Sequence, residues 1–334
     1  MATNYCIITT LLFIAGSLNG FQVITTLPRS MKGSVISSSL SMSASSFDDV
    51  RIMVNGMPGP MATAAAEACL RKGLKLAPTA ITGPEIESCT IDVYDSVSEK
   101  SAKVKLIPST KPDEIEASIT SMKETSKFLL AIDYTHPSAV NSNAEFYVKN
   151  NVPFVMGTTG GDREKLLKNC ASHFCVIAPN MGKQIVAMQA ALENLARDYP
   201  AAFEGYHLKV VESHQKTKAD TSGTAKAVID SLKTLSSNDK FVAEDDVQKI
   251  RDDDESVAFG VSADALTGHA YHTYTLKSPD GTVEFQLQHN VAGRTVYAEG
   301  TADAVKFLAK KVAQGDDDPQ VYSMIDILKE GALE

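Results

Sequence analysis

An apolar run, a glycine turn and an alanine-rich helix near the start of the chain constrain its fold most. Residues 51–54 read RIMV, and NGMPGPMA follows at 55–62, ahead of a helix that we expect to end near Gly73. This order is typical of the phosphate-binding start of a Rossmann unit. The signal is weak by itself, since Ala62 stands where a third glycine is usual. It predicts cofactor contacts from Gly56, Met57, Pro58, Gly59, Pro60 and Met61.

Later apolar runs predict the rest of a parallel sheet. They are short and almost continuous, as buried parallel strands are, and they cover residues 128–132, 152–156 and 174–177. Open α/β sheets bind ligands at the carboxyl ends of such strands. A second strand is expected at 74–81. Residues 84–127 are expected to form a variable surface segment with a helical patch at 114–127.

The length of 334 residues suits two domains, and the order of elements predicts an α/β fold. We expect a Rossmann dinucleotide-binding domain at 48–180, completed by the C-terminal residues 296–334. An α+β domain with a mixed or antiparallel sheet should cover 181–295 and serve substrate binding and oligomerisation. An amphipathic helix from Met181 to Tyr199 is expected to link the two domains.

A hairpin is the clearest element of the second domain. Its strands are expected at 268–277 and 282–289, around the turn Ser278-Pro279-Asp280-Gly281. Alternating apolar residues predict one buried sheet face and another that is solvated or contacts a second subunit; they are Val283, Phe285 and Leu287. The acidic run at 252–255 is expected to be a solvated loop.

The stretch VVESHQKTKADTSGTAKAVI at 210–229 carries the most chemistry. A strand ends at His214, Lys218 follows on the loop, and a helix opens at Ser222-Gly223-Thr224. An imidazole and an ammonium group can both donate protons, and a helix N-terminus can hold a carboxylate. A solvated loop with an ordinary N-cap has the same spacing, so these residues alone leave both interpretations open.

This stretch resembles the signature of the dihydrodipicolinate reductases, most closely the branch of plants and algae. The resemblance extends over nearly all of residues 51–331. It implies that His214 is the proton-relay acid, that Lys218 assists protonation, and that substrate contacts come from Gln215, Ser222, Gly223 and Thr224. Gln215 replaces a second histidine of bacterial members, and the segment between Asp220 and Ser222 is one residue shorter.

The turns GTTGG at 157–161 and APNMG at 178–182 resemble segments that flank the nicotinamide in this family. The resemblance implies cofactor contacts from Gly157, Thr158, Thr159, Ala178, Pro179, Asn180 and Met181. The expected second strand ends in Ile81, Thr82 and Gly83, where a carboxylate would bind the 2′-hydroxyl of NAD. Its absence favours NADPH, with NADH possible, and Thr82 is expected to contact the cofactor.

The resemblance implies reduction of a cyclic dicarboxylate, made from aspartate semialdehyde and pyruvate, to tetrahydrodipicolinate in lysine biosynthesis. It also implies a homodimer or a homotetramer. Two alternatives remain. One is another Rossmann oxidoreductase of aspartate-derived substrates, such as a homoserine dehydrogenase. The other is a catalytically idle relative that serves as a nucleotide-binding assembly factor in plastids.

Residues 1–47 differ in composition from the rest of the chain. They contain no Asp or Glu, an apolar stretch at 6–18 and a serine-rich segment at 30–46. This pattern resembles the signal and transit leaders of algae with secondary plastids and predicts a stromal protein; a plain secretory signal is the alternative. No membrane segment is expected after processing, and a net charge of −9 gives no general attraction for nucleic acid.

The metal-ligating residues show no zinc-site spacing. Cys170 and Cys175 are expected to be two buried thiols, since the five cysteines form no Cys-x-x-Cys pair. His269 and His272 lie three residues apart on an expected strand, so their side chains should point to opposite faces and not share an ion. The sequence therefore predicts no metal site.

Overall fold

The computed structural model describes Phe47, residues 49–315 and residues 320–331. The predicted leader therefore lies outside the described residues, apart from Phe47. In chain order the strands β1 to β12 are Val50–Asn55, Thr79–Thr82, Cys89–Asp95, Lys100–Pro108, Phe128–Asp133, Phe154–Met156, Cys175–Ile177, His207–His214, Gln248–Ile250, His269–Lys277, Glu284–Ala292 and Val321–Tyr322. The helices α1 to α10 are Pro60–Arg71, Pro112–Thr125, Val140–Lys149, Arg163–Cys170, Lys183–Asp198, Gly223–Ser236, Ala243–Asp246, Asp253–Ala258, Thr295–Gln314 and Met324–Lys329.

A parallel sheet in the order β1-β5-β6-β7-β12 forms the first half of the fold. Its strands are apolar along almost their whole length because helices cover both faces, and Ile52, Leu130 and Val155 are fully buried. The sheet places the ends of β1, β5, β6 and β7 along one edge. The expected α/β fold with a Rossmann-like parallel sheet is confirmed.

The expected second strand and surface segment were wrong in part. The strand begins only at Thr79, and β2 pairs with β4 in a separate sheet of order β2-β4-β3. A single bridge, Ile52 to Leu76, joins this part of the chain to β1. Residues 84–127 contain the hairpin of β3 and β4 as well as α2. The hairpin was missed because one face is polar and only alternate residues such as Val93 and Val104 are buried.

A second sheet in the order β11-β10-β8-β9 carries the hairpin that the sequence predicted. Leu208, Val210, Tyr274 and Leu276 pack with apolar residues of α6 on one face of this sheet. Leu287 continues this face. Val283 and Phe285 stay 41% and 50% exposed, although their alternation predicted burial.

The acidic run at 252–255 begins a helix and is not a loop. The carboxylate of Asp252 accepts hydrogen bonds from the N–H groups of Asp254 and Glu255 at the start of α8. Acidic residues are stabilising at this end of a helix because they face its positive dipole. The acidic residues of this run therefore stabilise the start of α8, which the density of negative charge in the sequence did not indicate.

The C-terminal part returns to the first sheet. β12 pairs with β7, and α9 packs over the parallel strands with Val305 and Leu308 fully buried. α9 approaches the loop after β7 so closely that a Cβ atom at Gly300 would lie 1.7 Å from the carbonyl oxygen of Met181. Within residues 49–315 and 320–331, no helix is both long and apolar enough to span a bilayer.

Phe47, the last residue of the predicted leader, belongs to the buried core. It is 9% exposed, and the Nζ atom of Lys306 lies 5.9 Å from its ring centroid. We expect Phe47→Ala in the full chain to lower the free energy of unfolding by about 2 kcal/mol, the value of burying such a side chain. Urea unfolding followed by circular dichroism measures this, with Phe47→Leu as the matched control. Equal stability of Phe47→Ala and the parent chain would contradict the assignment.

Candidate active site

A cavity of about 760 Å³ opens at the carboxyl ends of β1 and β5. Five predicted cofactor residues line it: Gly56, Gly59, Pro60, Met61 and Thr82. Met57 and Pro58 do not line it. Met57 is buried, and its carbonyl oxygen accepts a hydrogen bond of 2.6 Å from the Thr82 hydroxyl. This contact fixes the turn between β1 and α1 against the end of β2.

The backbone around Gly56 fits a dinucleotide. Gly56 has a φ of +100°, and a Cβ atom there would lie 2.0 Å from the carbonyl oxygen of Tyr134. The turn can therefore pass close to β5 only with glycine at this position. α1 starts at Pro60, so its first N–H groups face the cavity end of the turn, where a pyrophosphate is stabilised.

Much of the cavity wall was not predicted from the sequence. The segment after β5 supplies Tyr134, Thr135, His136, Ser138, Ala139, Ser142 and Asn143, and the loops after β2 and β4 supply Gly83, Pro84, Glu85 and Ser109. The polar residues directly after the apolar run at 128–132 were a usable signal, because this edge of an α/β sheet binds ligands. None of the lining residues in the described part of the chain is Lys or Arg.

The buried carboxylate of Asp133 organises this wall. It accepts hydrogen bonds from the hydroxyl groups of Thr158 (2.6 Å), Thr135 (2.8 Å) and Tyr147 (2.7 Å), and from the amide of Asn143 (2.9 Å). Burial, reinforced by the negative charge of Asp133, raises the pKa of Tyr147, so its hydroxyl remains a donor. Thr158 therefore shapes the wall through Asp133 and is not among its lining residues.

The remaining predicted cofactor residues lie on the neighbouring loops and do not line this cavity. They are Gly157, Thr159, Ala178, Pro179, Asn180 and Met181. The side-chain amide of Asn180 donates to the Thr224 hydroxyl at 3.0 Å, and its oxygen accepts from the N–H of Gly182 at 2.8 Å. Asn180 therefore joins the loop after β7 to the first turn of α6.

An ion pair between Glu212 and Arg251 supports the predicted catalytic and substrate-binding residues between β8 and α6. Glu212 is fully buried on β8, and Arg251 forms an ion pair with its Oε1 atom. The N–H of Ser222 donates to Oε2 at 3.1 Å, and Arg251 also donates to the carbonyl oxygen of Lys218 at 2.6 Å. These contacts hold the loop between β8 and α6. Sequence reasoning missed Arg251, which lies 39 residues from Glu212.

His214 ends β8 and is 6% exposed. Its Nδ1 atom lies 3.1 Å from the carbonyl oxygen of His269, and its Nε2 atom lies 3.2 Å from Nε2 of His272. Burial, with the charges of Arg251 and Lys218, lowers the pKa of His214 to about 3. The imidazole is therefore neutral in the free protein.

Lys218 and the start of α6 complete this group. The ammonium group of Lys218 is 2.7 Å from the Asp220 carboxylate and lowers its pKa. Ser222 caps α6, where its hydroxyl accepts from the N–H of Ala225 at 3.5 Å. Gln215 is half-buried on the loop and accepts from the N–H of Lys218 through its carbonyl oxygen. A Cβ atom at Gly223 would have no atom within 4 Å, so packing alone does not require glycine there.

The two histidines of β10 contact different groups, as their spacing predicted. His269 bonds to the Ser213 hydroxyl at 2.8 Å, whereas His272 lies beside Glu212 and His214 on the other face of the sheet. The expected absence of a metal site stays a prediction. Glu212, His214 and His272 bring three possible donor atoms within 4.8 Å of one another. Local spacing does not reveal this group, because the end of β8 and the start of β10 are 55 residues apart.

Comparisons with known proteins show the family of the chain. The family model for the dihydrodipicolinate reductase N-terminus matches residues 50–181, and the model for its C-terminus matches residues 185–328. A protein of Oryza sativa subsp. japonica named probable 4-hydroxy-tetrahydrodipicolinate reductase 1, chloroplastic, is 44% identical over 285 residues, covering 84% of this chain and 79% of that protein. The chain belongs to the dihydrodipicolinate reductase family.

Another plant relative and a bacterial structure support the same family and fold. The Arabidopsis thaliana 4-hydroxy-tetrahydrodipicolinate reductase 2, chloroplastic, is 45% identical over 287 residues, which cover 85% of this chain and 78% of that protein. The dipicolinate-bound dihydrodipicolinate reductase from Paenisporosarcina sp. TG-14 gives a TM-score of 0.50 at 19% identity, covering 82% of this chain and 97% of that one. At this identity the likeness shows the reductase fold alone.

The close approach at Gly56 leads to a prediction for this reductase-family chain. Gly56→Ala should lower the free energy of unfolding by about 2 kcal/mol or more, because alanine is strained at positive φ and its methyl group meets the Tyr134 carbonyl. It should also weaken dinucleotide binding, measured by calorimetric titration. Gly223→Ala is the matched control for stability, since its methyl group enters open space. Unchanged stability and nucleotide affinity in Gly56→Ala would contradict this account of the turn.

Proposed function

We propose that the chain reduces 4-hydroxy-tetrahydrodipicolinate, or the dihydrodipicolinate formed from it, to tetrahydrodipicolinate in the diaminopimelate route of lysine biosynthesis. The observation that carries this proposal is the placement of His214 and Lys218 beside the N-terminus of α6. Plant proteins that are 44% and 45% identical to this chain are named for the same reaction. The bacterial relative of known structure was solved with dipicolinate, a cyclic dicarboxylate.

The site residues fit a dicarboxylate in a protein whose net charge is negative. Lys218, Arg251 and the N-terminal N–H groups of α6 concentrate positive potential at one end of β8, although the net charge is −9. We assign carboxylate contacts to Gln215, Ser222, Gly223 and Thr224 in addition to Lys218. Asn180, through its hydrogen bond to Thr224, would set the distance between the start of α6 and the loop after β7, which we expect to flank the nicotinamide.

Protonation of the product is the chemical task of His214. A reduced nicotinamide, when bound, supplies hydride transfer. This transfer leaves negative charge on the substrate. The imidazole of His214 is neutral in the free protein because burial and two cations lower its pKa. A bound dicarboxylate adds negative charge beside it and so favours the protonated form. Lys218 assists by holding a carboxylate and by donating a proton.

His214→Asn and Lys218→Ala should each lower kcat by about 100- to 10,000-fold, the usual contribution of acid catalysis. Dinucleotide affinity should stay within about twofold, because neither side chain lines the cofactor cavity. Absorbance of the reduced cofactor with freshly generated pathway intermediate measures turnover. Lys216→Ala is the matched control, since Lys216 is exposed and pairs with Asp253. Tight nucleotide binding without turnover in the parent chain would refute the reductase function and support the idle, nucleotide-binding relative.

We further propose NADPH as the preferred cofactor, with NADH accepted. Support comes from the end of β2, where Ile81, Thr82 and Gly83 offer no carboxylate to repel a 2′-phosphate. The carboxylate of Glu85 lines the same cavity beside Gly83 and opposes this preference. The end of β2 therefore favours NADPH, whereas the Glu85 carboxylate favours NADH. Glu85 is the group that limits the preference for NADPH.

Glu85→Gln should therefore raise the ratio of kcat/KM for NADPH to that for NADH by about two- to fivefold, as expected for an exposed charge. The physical reason is loss of repulsion towards the 2′-phosphate and loss of an acceptor for the 2′-hydroxyl. Steady-state kinetics with both cofactors measure the ratio. The matched control is Glu87→Gln, two residues along the exposed loop and outside the cavity lining. An unchanged or lowered ratio in Glu85→Gln would contradict this role.

A homodimer or homotetramer is proposed through the second sheet. One face of this sheet packs against α6, and the other presents Tyr271, Thr273 and Thr275 on the long central strand β10. These side chains are only partly buried within the described chain. The two strands of the hairpin have nine residues each, and their partly exposed polar face suits a second copy of the same sheet.

Thr273→Lys should shift the assembly towards monomers, because a two-fold axis would bring like charges together across the sheets. Sedimentation velocity at several protein concentrations measures the mass. Thr234→Lys, on the exposed side of α6, is the control for a charge added elsewhere. If Thr273→Lys keeps the mass of the parent chain, the interface lies on another surface.

Plastid import and the domain division complete the proposal. The chloroplastic relatives support import by a leader, and the bipartite signal and transit arrangement remains our proposal for residues 1–47. The burial of Phe47 supports a cleavage site before that residue. We assign residues 48–180 with 296–334 to dinucleotide binding and residues 181–295 to substrate binding and oligomerisation.

A further inference from the structure

Three buried donor atoms meet at one point beside the proposed acid. The Nε2 atoms of His214 and His272 are 3.2 Å apart, and Oε2 of Glu212 lies 3.7 Å from the second and 4.0 Å from the first. The side chains are 8%, 1% and 0% exposed, for His214, His272 and Glu212 respectively. We call these three residues the donor cluster.

The backbone fixes the donor cluster. Glu212 and His214 are two residues apart on β8, so their side chains share one face of the sheet. His272 is the residue directly opposite Glu212 in the antiparallel pairing of β8 and β10. Ligands held on paired strands lose little conformational freedom when they bind an ion. The donor cluster is therefore organised before any ion arrives.

The hydrogen bonds around the donor cluster leave lone pairs directed inward. Nδ1 of His214 faces a carbonyl oxygen and must carry the proton, which leaves Nε2 bare. Such a bond to a backbone carbonyl is the usual outer contact of a metal-binding histidine. Arg251 holds Oε1 of Glu212, while Oε2 accepts the N–H of Ser222 at 3.1 Å and keeps a second lone pair for an ion. In the metal-free protein Nε2 of His272 donates to Nε2 of His214, and an ion requires this proton to move to Nδ1 of His272, which has no hydrogen-bond partner among the described residues.

We propose that Glu212, His214 and His272 form a binding site for a divalent transition-metal ion of the zinc class. Tetrahedral zinc with bonds of about 2.0–2.1 Å needs donors about 3.3 Å apart, so the longest of the three separations must shorten by about 0.7 Å. Two histidines and a carboxylate are a known three-ligand zinc set that leaves a fourth position for water. The charges of Arg251 and Lys218 weaken the binding of any cation, and two imidazoles with a single carboxylate favour ions that bind nitrogen strongly over Mg²⁺ and Ca²⁺, which prefer oxygen ligands.

The consequence for catalysis rests on the proposed function. An ion on Nε2 of His214 occupies the nitrogen that would otherwise protonate the product, so zinc-class ions act as reversible inhibitors. The binding itself does not depend on the reaction. Metal affinity is therefore measured without turnover, which separates failure of this site from failure of the reductase assignment.

The test is titration of the full chain, carrying no affinity tag, with Co²⁺ as a spectroscopic probe. We expect one ion per chain with the visible absorption bands of a four- or five-coordinate site, displacement by Zn²⁺ and no competition by Mg²⁺. His272→Asn should lower the affinity at least about tenfold. His269→Asn is the matched control, because it removes a buried imidazole from the same strand on the opposite face and should keep the affinity within about twofold.

Two results would overturn the site. One is no Co²⁺ binding at about 1 mM, because a weaker affinity than this is too low for a specific metal site. The other is equal Co²⁺ affinity in His272→Asn and the parent chain. If His272→Asn does not fold, X-ray absorption of the zinc-loaded parent chain decides, since the proposal requires scattering from two imidazoles. Absence of that scattering overturns the proposal. Inhibition of any reductase activity by Zn²⁺, reversed by a chelator, is the expected functional counterpart.

Discussion

The buried carboxylate of Glu212 is the interaction on which the second half of the site depends. One oxygen pairs with Arg251 and the other accepts the N–H of Ser222, so a single charge ties β8 to the loop and to the start of α6. Leaving either charge of such a pair alone in the interior costs about 3–5 kcal/mol. The loop that carries Lys218 is positioned by this pair, since Arg251 also holds its backbone.

The same pair sets the electrostatics of the proposed acid. Arg251 neutralises Glu212, and together with Lys218 and burial it keeps His214 neutral until negative charge arrives. Under the proposed function, such a site would distinguish a dicarboxylate from a neutral ring by the protonation that the ligand induces. The neutral imidazoles of His214 and His272 are also what makes the donor cluster suitable for a metal ion. In our proposals, the charges around His214 therefore serve proton transfer and also allow a metal ion to inhibit it.

Much of the first half followed from pattern alone. Continuous apolar runs identified β1, β5, β6 and β7, because strands covered on both faces need apolar side chains throughout. The hairpin of β3 and β4 escaped the same reasoning, since half of its residues face solvent. The helix at Asp253–Ala258 escaped it too, because acidic residues suit both a solvated loop and the first turn of a helix.

The sequence by itself determined the Rossmann-like turn at Gly56, the hairpin around Ser278 to Gly281, and the strand, loop and helix start that carry His214 and Lys218. Each of these is a local pattern, in which neighbouring residues meet whatever the rest of the chain does. The tertiary structure alone decided that Arg251 would hold Glu212, that Glu85 would enter the cofactor cavity, and that His272 would face His214. Those contacts depend on strand register and loop return across many residues, and no local spacing encodes them.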